Sequence, residues 1–185
     1  MLQKIESDSM AEKKLYDNLF KVIKANSGPF TTNDIVKTEI LDLQIPRGYA
    51  ARIRKVIFCD TGFRDQLDQI YMHTYGCLVL DPDDENSFQI PDYTVDHDVA
   101  CDFEHYYIRF EEDTTPNGIA FLPLQKTQIE FAEDLDVVTV RNPRFNSMTN
   151  GIKGDGSYPP QTHIEVYFTY ERVSMDLYSK LLGIS

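Results

Sequence analysis

Residues 161–185 read QTHIEVYFTYERVSMDLYSKLLGIS and contain two patterns in succession. From Gln161 to Arg172 apolar and polar side chains alternate, which is typical of a β-strand with one face against a core. From Ser174 to Leu182 the apolar residues fall at helical spacing, and Ser174 is placed to cap the helix. A helix this short is marginal alone, so it must dock, either on its own domain or on a neighbouring subunit or membrane. We expect at least one of the two terminal segments to act in assembly.

The composition favours one β-rich domain with an acidic surface. The chain has 185 residues, which suits a single domain with an extension. Tyrosine and phenylalanine number 11 each, and aromatic residues favour strands. The formal net charge is -12, which repels phosphate groups, so we expect no direct nucleic-acid binding by the main body.

The cysteines and the first residues predict a protein made in a cytoplasm. Cys59, Cys77 and Cys101 are odd in number and widely spaced, which fits neither a disulfide framework nor a zinc motif. Reduced thiols are therefore expected. The first ten residues lack an apolar signal core, and no run is long enough to span a bilayer, so we predict no membrane anchor in the chain itself.

An N-terminal helical arm is predicted before the main domain. The stretch MAEKKLYDNLFKVIKA, residues 10–25, has apolar residues at helical spacing and lysines on its other side. Gly28 and Pro29 end the pattern in the way a helix usually ends. The predicted organisation is an amphipathic arm over residues 1–29, a β-domain over residues 30–173 and a helical tail over residues 174–185.

The β-domain is predicted to be an all-β, eight-stranded antiparallel jelly-roll sandwich. No helical pattern separates consecutive strands, as parallel crossovers would require. An immunoglobulin-like sandwich is the alternative, but the chain has no tryptophan for that core. The predicted strands are Ile35–Ile45, Tyr49–Cys59, Gln66–Leu80, Val95–Ala100, Phe103–Phe110, Gln125–Phe131, Val137–Asn142 and Thr162–Arg172.

Residues 143–160 are rich in Gly, Pro, Asn and Ser and are predicted to form a long loop. Its apolar members Phe145, Met148, Ile152 and Tyr158 need cover from the domain itself or from a neighbouring subunit.

Three stretches carry a resemblance to a known family. They are LDLQIPRGYAARIRKVIF at 41–58, DQIYMHTY at 68–75 and EVYFTYERVSMDLYSKLLGIS at 165–185. In the order of these stretches and in their residue pattern, the chain resembles the small single jelly-roll major capsid proteins of icosahedral viruses of archaea and bacteria that contain an internal membrane. The resemblance covers the chain from about residue 35 onward.

That resemblance implies a structural protein of the virion, made in the host cytoplasm. It implies an upright jelly roll that assembles into capsomers, either by self-association or together with a second capsid protein. It also implies contact of the N-terminal arm with the internal viral membrane, and it brings no catalytic residue and no cofactor.

The basic cluster near the second predicted strand has two interpretations. Arg52 and Arg54 are predicted on one face and Lys55 on the other, either pairing with neighbouring strands or contacting another subunit. The candidate subunit contacts in the whole chain are Leu15, Leu19, Val22, Arg52, Arg54, Phe145, Met148, Tyr158, Leu177 and Leu181.

A second hypothesis is a binding module of a viral spike or appendage that holds carbohydrate or a cell receptor. An exposed aromatic platform would then bind the sugar. The candidate platform residues are Tyr71, Tyr75, Tyr106 and Tyr158.

A third hypothesis is a cupin-like metal enzyme. The nearest approach to its ligand pattern is His97 and His105 with Glu104 and Glu111, but the histidines are eight positions apart. Solvated histidines are the favoured interpretation.

Other chemistry finds little support in the sequence. The acids from Asp81 to Glu85 suggest a calcium loop, yet Asn86 stands where an EF-hand loop needs glycine, so a solvated loop is favoured and a surface ion stays open. We found no convincing motif for a catalytic nucleophile or a phosphate loop. We therefore predict no enzyme, no metal and no cofactor.

Overall fold

The computed structural model describes residues 20–61, 71–80, 99–108, 125–132, 135, 137–151 and 159–182. These residues contain nine strands and one helix. The elements are β1 (Lys21–Asn26), β2 (Lys37–Ile40), β3 (Tyr49–Thr61), β4 (Tyr71–Val79), β5 (Val99–Ile108), β6 (Lys126–Glu130), β7 (Val138–Thr139), β8 (Arg144–Asn150), β9 (Gln161–Arg172) and α1 (Met175–Leu181).

The strands form two sheets in which all pairs are antiparallel. Sheet A has the order β1-β9-β3-β6, and β7 also pairs with β3. Sheet B has the order β2-β8-β4-β5. The late strands β9 and β8 are each inserted between two early strands, which is the interleaving of a jelly roll. The predicted antiparallel sandwich and the short C-terminal helix are confirmed.

The predicted N-terminal helix is wrong over residues 21–25, which form β1 at the edge of sheet A. The neighbouring apolar residues Val22 and Ile23 fit a helical stripe as well as a strand. Pairing with β9 decides between them: Lys21 lies opposite Phe168, Ile23 packs against the core and Val22 faces outward. Tertiary pairing has overridden the local pattern. Residues 1–19, with the candidate contacts Leu15 and Leu19, lie outside the described residues.

The predicted loop over residues 143–160 is also wrong in its first half, which forms β8 between β2 and β4. The strand was missed because it buries polar residues, namely Asn146, Ser147 and Thr149, instead of alternating with apolar ones. Thr149 is satisfied by Thr74 across the sheet, with 3.2 Å between their hydroxyl oxygens. Phe145 is fully buried in the core, so its cover comes from the domain itself.

One other predicted strand is shorter than expected, and the end of another is part of β5. Of the predicted strand Ile35–Ile45 only Lys37–Ile40 is a strand, yet Leu41 and Leu43 are still buried in the core. The predicted strand Val95–Ala100 enters the described residues only at its end, where Val99 begins β5.

A β-bulge in β3 corrects the predicted faces of the basic cluster. The register against β9 shifts between Ile53 and Lys55, so Arg54 is an extra residue in the strand. Alternation restarts beyond the bulge, and Val56 then points inward as Ile53 does. Arg52, Arg54 and Lys55 therefore all lie on the outer face of sheet A.

The core lies between the sheets and centres on stacked aromatic rings. The ring of Phe58 from sheet A stacks on the ring of Phe103 from sheet B, with 4.6 Å between the ring centroids. The centroid of Phe58 lies 6.0 Å from that of Phe145.

In the part of the chain that the structure describes, no helix has the length and apolar character to cross a membrane.

Candidate interaction surfaces and the buried polar cluster

The outer face of sheet A is a ladder of ion pairs. Arg52 Nε lies 2.5 Å from Glu171 Oε1, and Arg54 Nη2 lies 3.7 Å from the same oxygen. Lys55 Nζ lies 3.3 Å from Glu130 Oε1. The predicted cross-strand pairing of the basic cluster is thus present within one chain. Exposed pairs of this kind contribute about 0.2–1 kcal/mol each.

The ladder continues to the edge strand β1. Lys24 Nζ lies 2.5 Å from Glu165 Oε1, and the Tyr167 hydroxyl donates to Glu165 Oε2 at 3.0 Å. The hydrogen bond from Lys24 is the main reason that the pKa of Glu165 lies below its ordinary value, and the same bond raises the pKa of Lys24.

Apolar side chains are exposed beside this ladder on β1 and the residue before it. Phe20 is 66% exposed and Val22 is 45% exposed. Val22, a predicted subunit contact, therefore faces away from the core. Together these two residues form the β1 patch.

The C-terminal helix α1 is capped as predicted, with the Leu177 N–H donating to Ser174 Oγ at 3.2 Å. None of its side chains is buried. Met175 is 62% exposed and Leu177 is 45% exposed, whereas Leu181 is half-buried. Just beyond the helix, the carbonyl of Leu182 accepts a hydrogen bond of 2.6 Å from Arg141 Nη2.

Arg141 is also part of a groove between the segment after β2 and the segment between β7 and β8. We call it the Arg141 groove. Its volume is about 480 Å³. Its lining combines apolar side chains with two arginines and one acid; the lining residues are Ile40, Asp42, Gln44, Ile45, Val140, Arg141, Asn142 and Arg144.

The walls of the Arg141 groove are fixed by hydrogen bonds. Asn142 Oδ1 accepts from the Leu43 N–H at 3.0 Å, and its amide donates to Asp42 Oδ1 at 3.3 Å. The buried Tyr170 hydroxyl contacts the carbonyl oxygens of Leu43 at 2.7 Å and Gln44 at 3.0 Å. The groove is therefore a preformed feature of the fold.

Sheet B carries three stacked rings on its outer face, which we call the aromatic stack. The His73 ring lies 4.4 Å from Tyr106 with 4° between the planes, and 4.7 Å from Tyr75 with 24° between the planes. The Tyr75 hydroxyl donates to Met148 Sδ at 3.7 Å, and Glu104 Oε1 lies 3.2 Å from His73 Nε2.

The aromatic stack brings together two of the four tyrosines predicted for a sugar platform. Tyr106 and Tyr75 are on neighbouring strands. His73, which was not predicted as part of the platform, connects them because it pairs directly with Tyr106. Tyr158 and the side chain of Tyr71 lie outside the described residues. The only available sequence signal was the His-x-Tyr spacing on one strand face.

A second cluster is buried between the sheets around Asp60. The carboxylate is 0% exposed and has three partners. Thr162 Oγ1 donates to Oδ1 at 2.7 Å, Tyr107 Oη donates to Oδ2 at 2.8 Å, and His105 Nδ1 lies 2.8 Å from Oδ2. His105 Nε2 lies 2.8 Å from Thr127 Oγ1. Sheet A supplies the carboxylate and the threonines, and sheet B supplies the other two residues, so the cluster links the sheets.

The Asp60 cluster contains the side-chain types of a catalytic triad but is buried within the fold. A carboxylate, imidazole and hydroxyl in series is the order that activates nucleophiles. Here His105 is 2% exposed, and Asp60 is held by further donors. Burial is the main cause that raises the pKa of the Tyr107 phenol, followed by the charge of Asp60.

Two of the four residues considered for a cupin-like metal site, His105 and Glu104, lie on opposite faces of β5. His105 points into the core with both ring nitrogens bonded to the chain, whereas Glu104 is exposed on the opposite face of β5. Among the described residues no group of three His, Cys, Asp or Glu side chains could hold a metal ion. His97, Glu111 and the segment 81–85 lie outside those residues.

Comparison with known proteins gave matches only among solved structures. No protein-family model and no curated protein sequence matches the chain. A structure of desmodium yellow mottle tymovirus is similar over 85% of this chain and 89% of that chain, at 6% identity and a TM-score of 0.44. A structure of tomato aspermy virus covers 92% of this chain and 96% of its own, at 12% identity and a TM-score of 0.44.

A third similar structure is the unassembled pentamer of Merkel cell polyomavirus VP1. It covers 85% of this chain and 97% of its own, at 11% identity and a TM-score of 0.40. Likenesses at these values do not establish a fold by themselves. The strand order of the two sheets establishes the jelly roll.

Proposed function

We propose that this chain is a structural, non-catalytic capsid protein that associates with further copies of itself in a virion. Jelly rolls serve as capsid domains, lectins and cupins, so the fold alone does not choose among these functions. The observation that carries the proposal is the exposure of apolar side chains on both terminal elements, namely Phe20 and Val22 at β1 and Met175 and Leu177 at α1. Exposed apolar groups that lie together favour association with another protein surface.

The finer features of the proposal come from the sequence resemblance. They are an icosahedral shell, a second capsid protein as a further partner, and contact of the N-terminal segment with an internal viral membrane. The negative body of the chain supports a shell that does not itself bind the genome, because its charge repels phosphate.

The test is the mass of the purified full-length protein in solution, measured by light scattering after size exclusion over a range of protein and salt concentrations. Oligomers or particles are expected. A Val22→Asp variant should associate less, because a charge replaces an exposed apolar side chain in the β1 patch. Asn26→Asp adds the same charge on the same strand at an exposed polar position and should behave as the wild type. A wild type that stays monomeric under every condition would contradict the proposal.

A second candidate function, carbohydrate binding, is favoured by the aromatic stack. Tyr106 is 43% exposed and lies beside the exposed Glu104, so a sugar ring could meet both an aromatic surface and a hydrogen-bond acceptor. A glycan array tests this function. Binding should be lost in Tyr106→Ala and kept in Asp102→Ala. Asp102 lies on the same strand and on the same face as Tyr106 but outside the aromatic stack. An array without signal for the wild type removes this candidate.

A further inference from the structure

We propose that α1 of one copy binds in the Arg141 groove of a second copy of this chain. This inference rests on the proposed self-association and names the surfaces that carry one of its contacts. It concerns two features on the same side of the molecule, since the carbonyl that follows α1 is bonded to Arg141 at the groove.

The helix has the properties of a segment that needs a partner. It spans seven residues, and isolated helices shorter than about 12–15 residues are marginal in water. The half-buried Leu181 and the hydrogen bond from Arg141 to the Leu182 carbonyl hold it on the sandwich, but Met175 and Leu177 remain exposed. Leu177 and Leu181 are one turn apart on the same side of α1, so this apolar side is only partly covered within its own chain.

The groove has matching properties. Ile40 at its wall is 61% exposed, and Ile45 and Val140 extend the apolar lining. A volume of about 480 Å³ is within the range of roughly 300–1,000 Å³ that is typical of ligand pockets. The groove can therefore receive apolar side chains from another molecule.

Charge complementarity favours a second copy as the occupant. The groove contains two arginines and one aspartate, while the chain as a whole carries a net charge of -12. The first turn of α1 carries Asp176 beside the exposed Met175 and Leu177, and the basic residue of the helix, Lys180, lies in the last turn. The Asp176 carboxylate would enter the field of the two arginines as the apolar side chains enter the groove.

Within one chain the two surfaces do not cover each other, because both are exposed at once. Leu177 and Ile40 remain accessible although the end of α1 is held beside the groove. A neighbouring copy supplies the missing partner for each surface.

The experiment measures the dissociation constant of self-association for the full-length chain by sedimentation. Leu177→Asp and Ile40→Asp are each expected to weaken association by about tenfold or more, as when a charge enters the centre of an interface. Ile35→Asp is the matched control, because Ile35 is another exposed isoleucine but does not line the groove. It should leave the dissociation constant unchanged.

A cross-linking experiment keeps the inference testable if either charged variant folds poorly. Ile40→Cys and Leu177→Cys are purified separately, mixed and oxidised. A disulfide-linked pair joined through these two positions, identified by peptide mass spectrometry, is expected; Ile35→Cys mixed with Leu177→Cys should give none.

The two proposals can fail separately. If the wild type associates but Leu177→Asp, Ile40→Asp and the control are indistinguishable and no link forms between positions 40 and 177, the helix–groove contact is wrong and the capsid proposal stands. If the wild type does not associate at all, the capsid proposal fails as well.

Discussion

Replacing Asp60 by alanine should remove most of the hydrogen-bonded link between the two sheets. The substitution leaves three buried donors without their acceptor: the Thr162 hydroxyl, the Tyr107 hydroxyl and the His105 ring N–H. Each buried group without a partner costs about 1–3 kcal/mol. Because three such groups lose their acceptor, we expect Asp60→Ala to cost at least about 3 kcal/mol. This is a large fraction of the roughly 5–15 kcal/mol that stabilises a typical domain.

The assay is urea unfolding followed by circular dichroism, with Asp60→Asn and Thr61→Ala measured beside Asp60→Ala. Asparagine keeps the shape and one acceptor oxygen, so its loss of stability should be smaller than that of alanine. Thr61→Ala removes an exposed hydrogen bond to His163 and should cost no more than about 0.5–1.5 kcal/mol. A loss below about 1 kcal/mol for Asp60→Ala would refute the view that this cluster joins the sheets.

Three further predictions concern packing, ionisation and helix capping. Gly76→Ala should destabilise the fold by about 1–3 kcal/mol in the same unfolding assay, because the new Cβ would lie 2.3 Å from the Asn146 carbonyl oxygen. An unchanged midpoint of urea unfolding would contradict the close approach of β4 and β8. Glu165 has a lowered pKa through Lys24, so it stabilises the folded state above its ordinary pKa of 4.5, and this contribution is lost as the pH falls through the lower folded value. The stability difference between wild type and Glu165→Gln should therefore shrink on acidification, and a difference that grows would refute the pairing. Ser174→Ala should cost about 0.5–2 kcal/mol of helix stability, seen as loss of helical circular dichroism, whereas Ser174→Asp should retain the cap.

The sequence predicts best where the pattern is strong and local. The alternation along β9 is such a case, because Ile164, Val166 and Phe168 point into the core as the period of two requires. Ser174 at the start of α1 is another, since capping depends only on the next few residues. The antiparallel sandwich follows from many such patterns without helical connections.

Prediction fails where pairing between distant strands decides the local structure. The six residues of β1 satisfy both a helical and a strand pattern, and only their register against β9 selects the strand. In β8 the buried side chains are polar, so the apolar alternation that marks a strand is missing. The bulge at Arg54 has no local signal, and it moves Lys55 to the face that carries the other basic residues.

The candidate sites were predictable only in part for the same reason. Tyr75 and Tyr106 were selected as aromatic residues, but His73 joins them only because β4 and β5 pair in one particular register. The Asp60 cluster draws residues from four strands, so no single stretch of sequence reveals it. Leu177 was predicted as a subunit contact from its helical spacing, whereas the exposed Met175 was recognised only from the docked arrangement of α1.

Electron microscopy of the purified full-length protein across a range of ionic strength shows whether this jelly roll builds a shell from copies of itself. We expect regular capsomers or closed particles. Uniformly dispersed molecules of 21.4 kDa under all conditions would contradict this expectation.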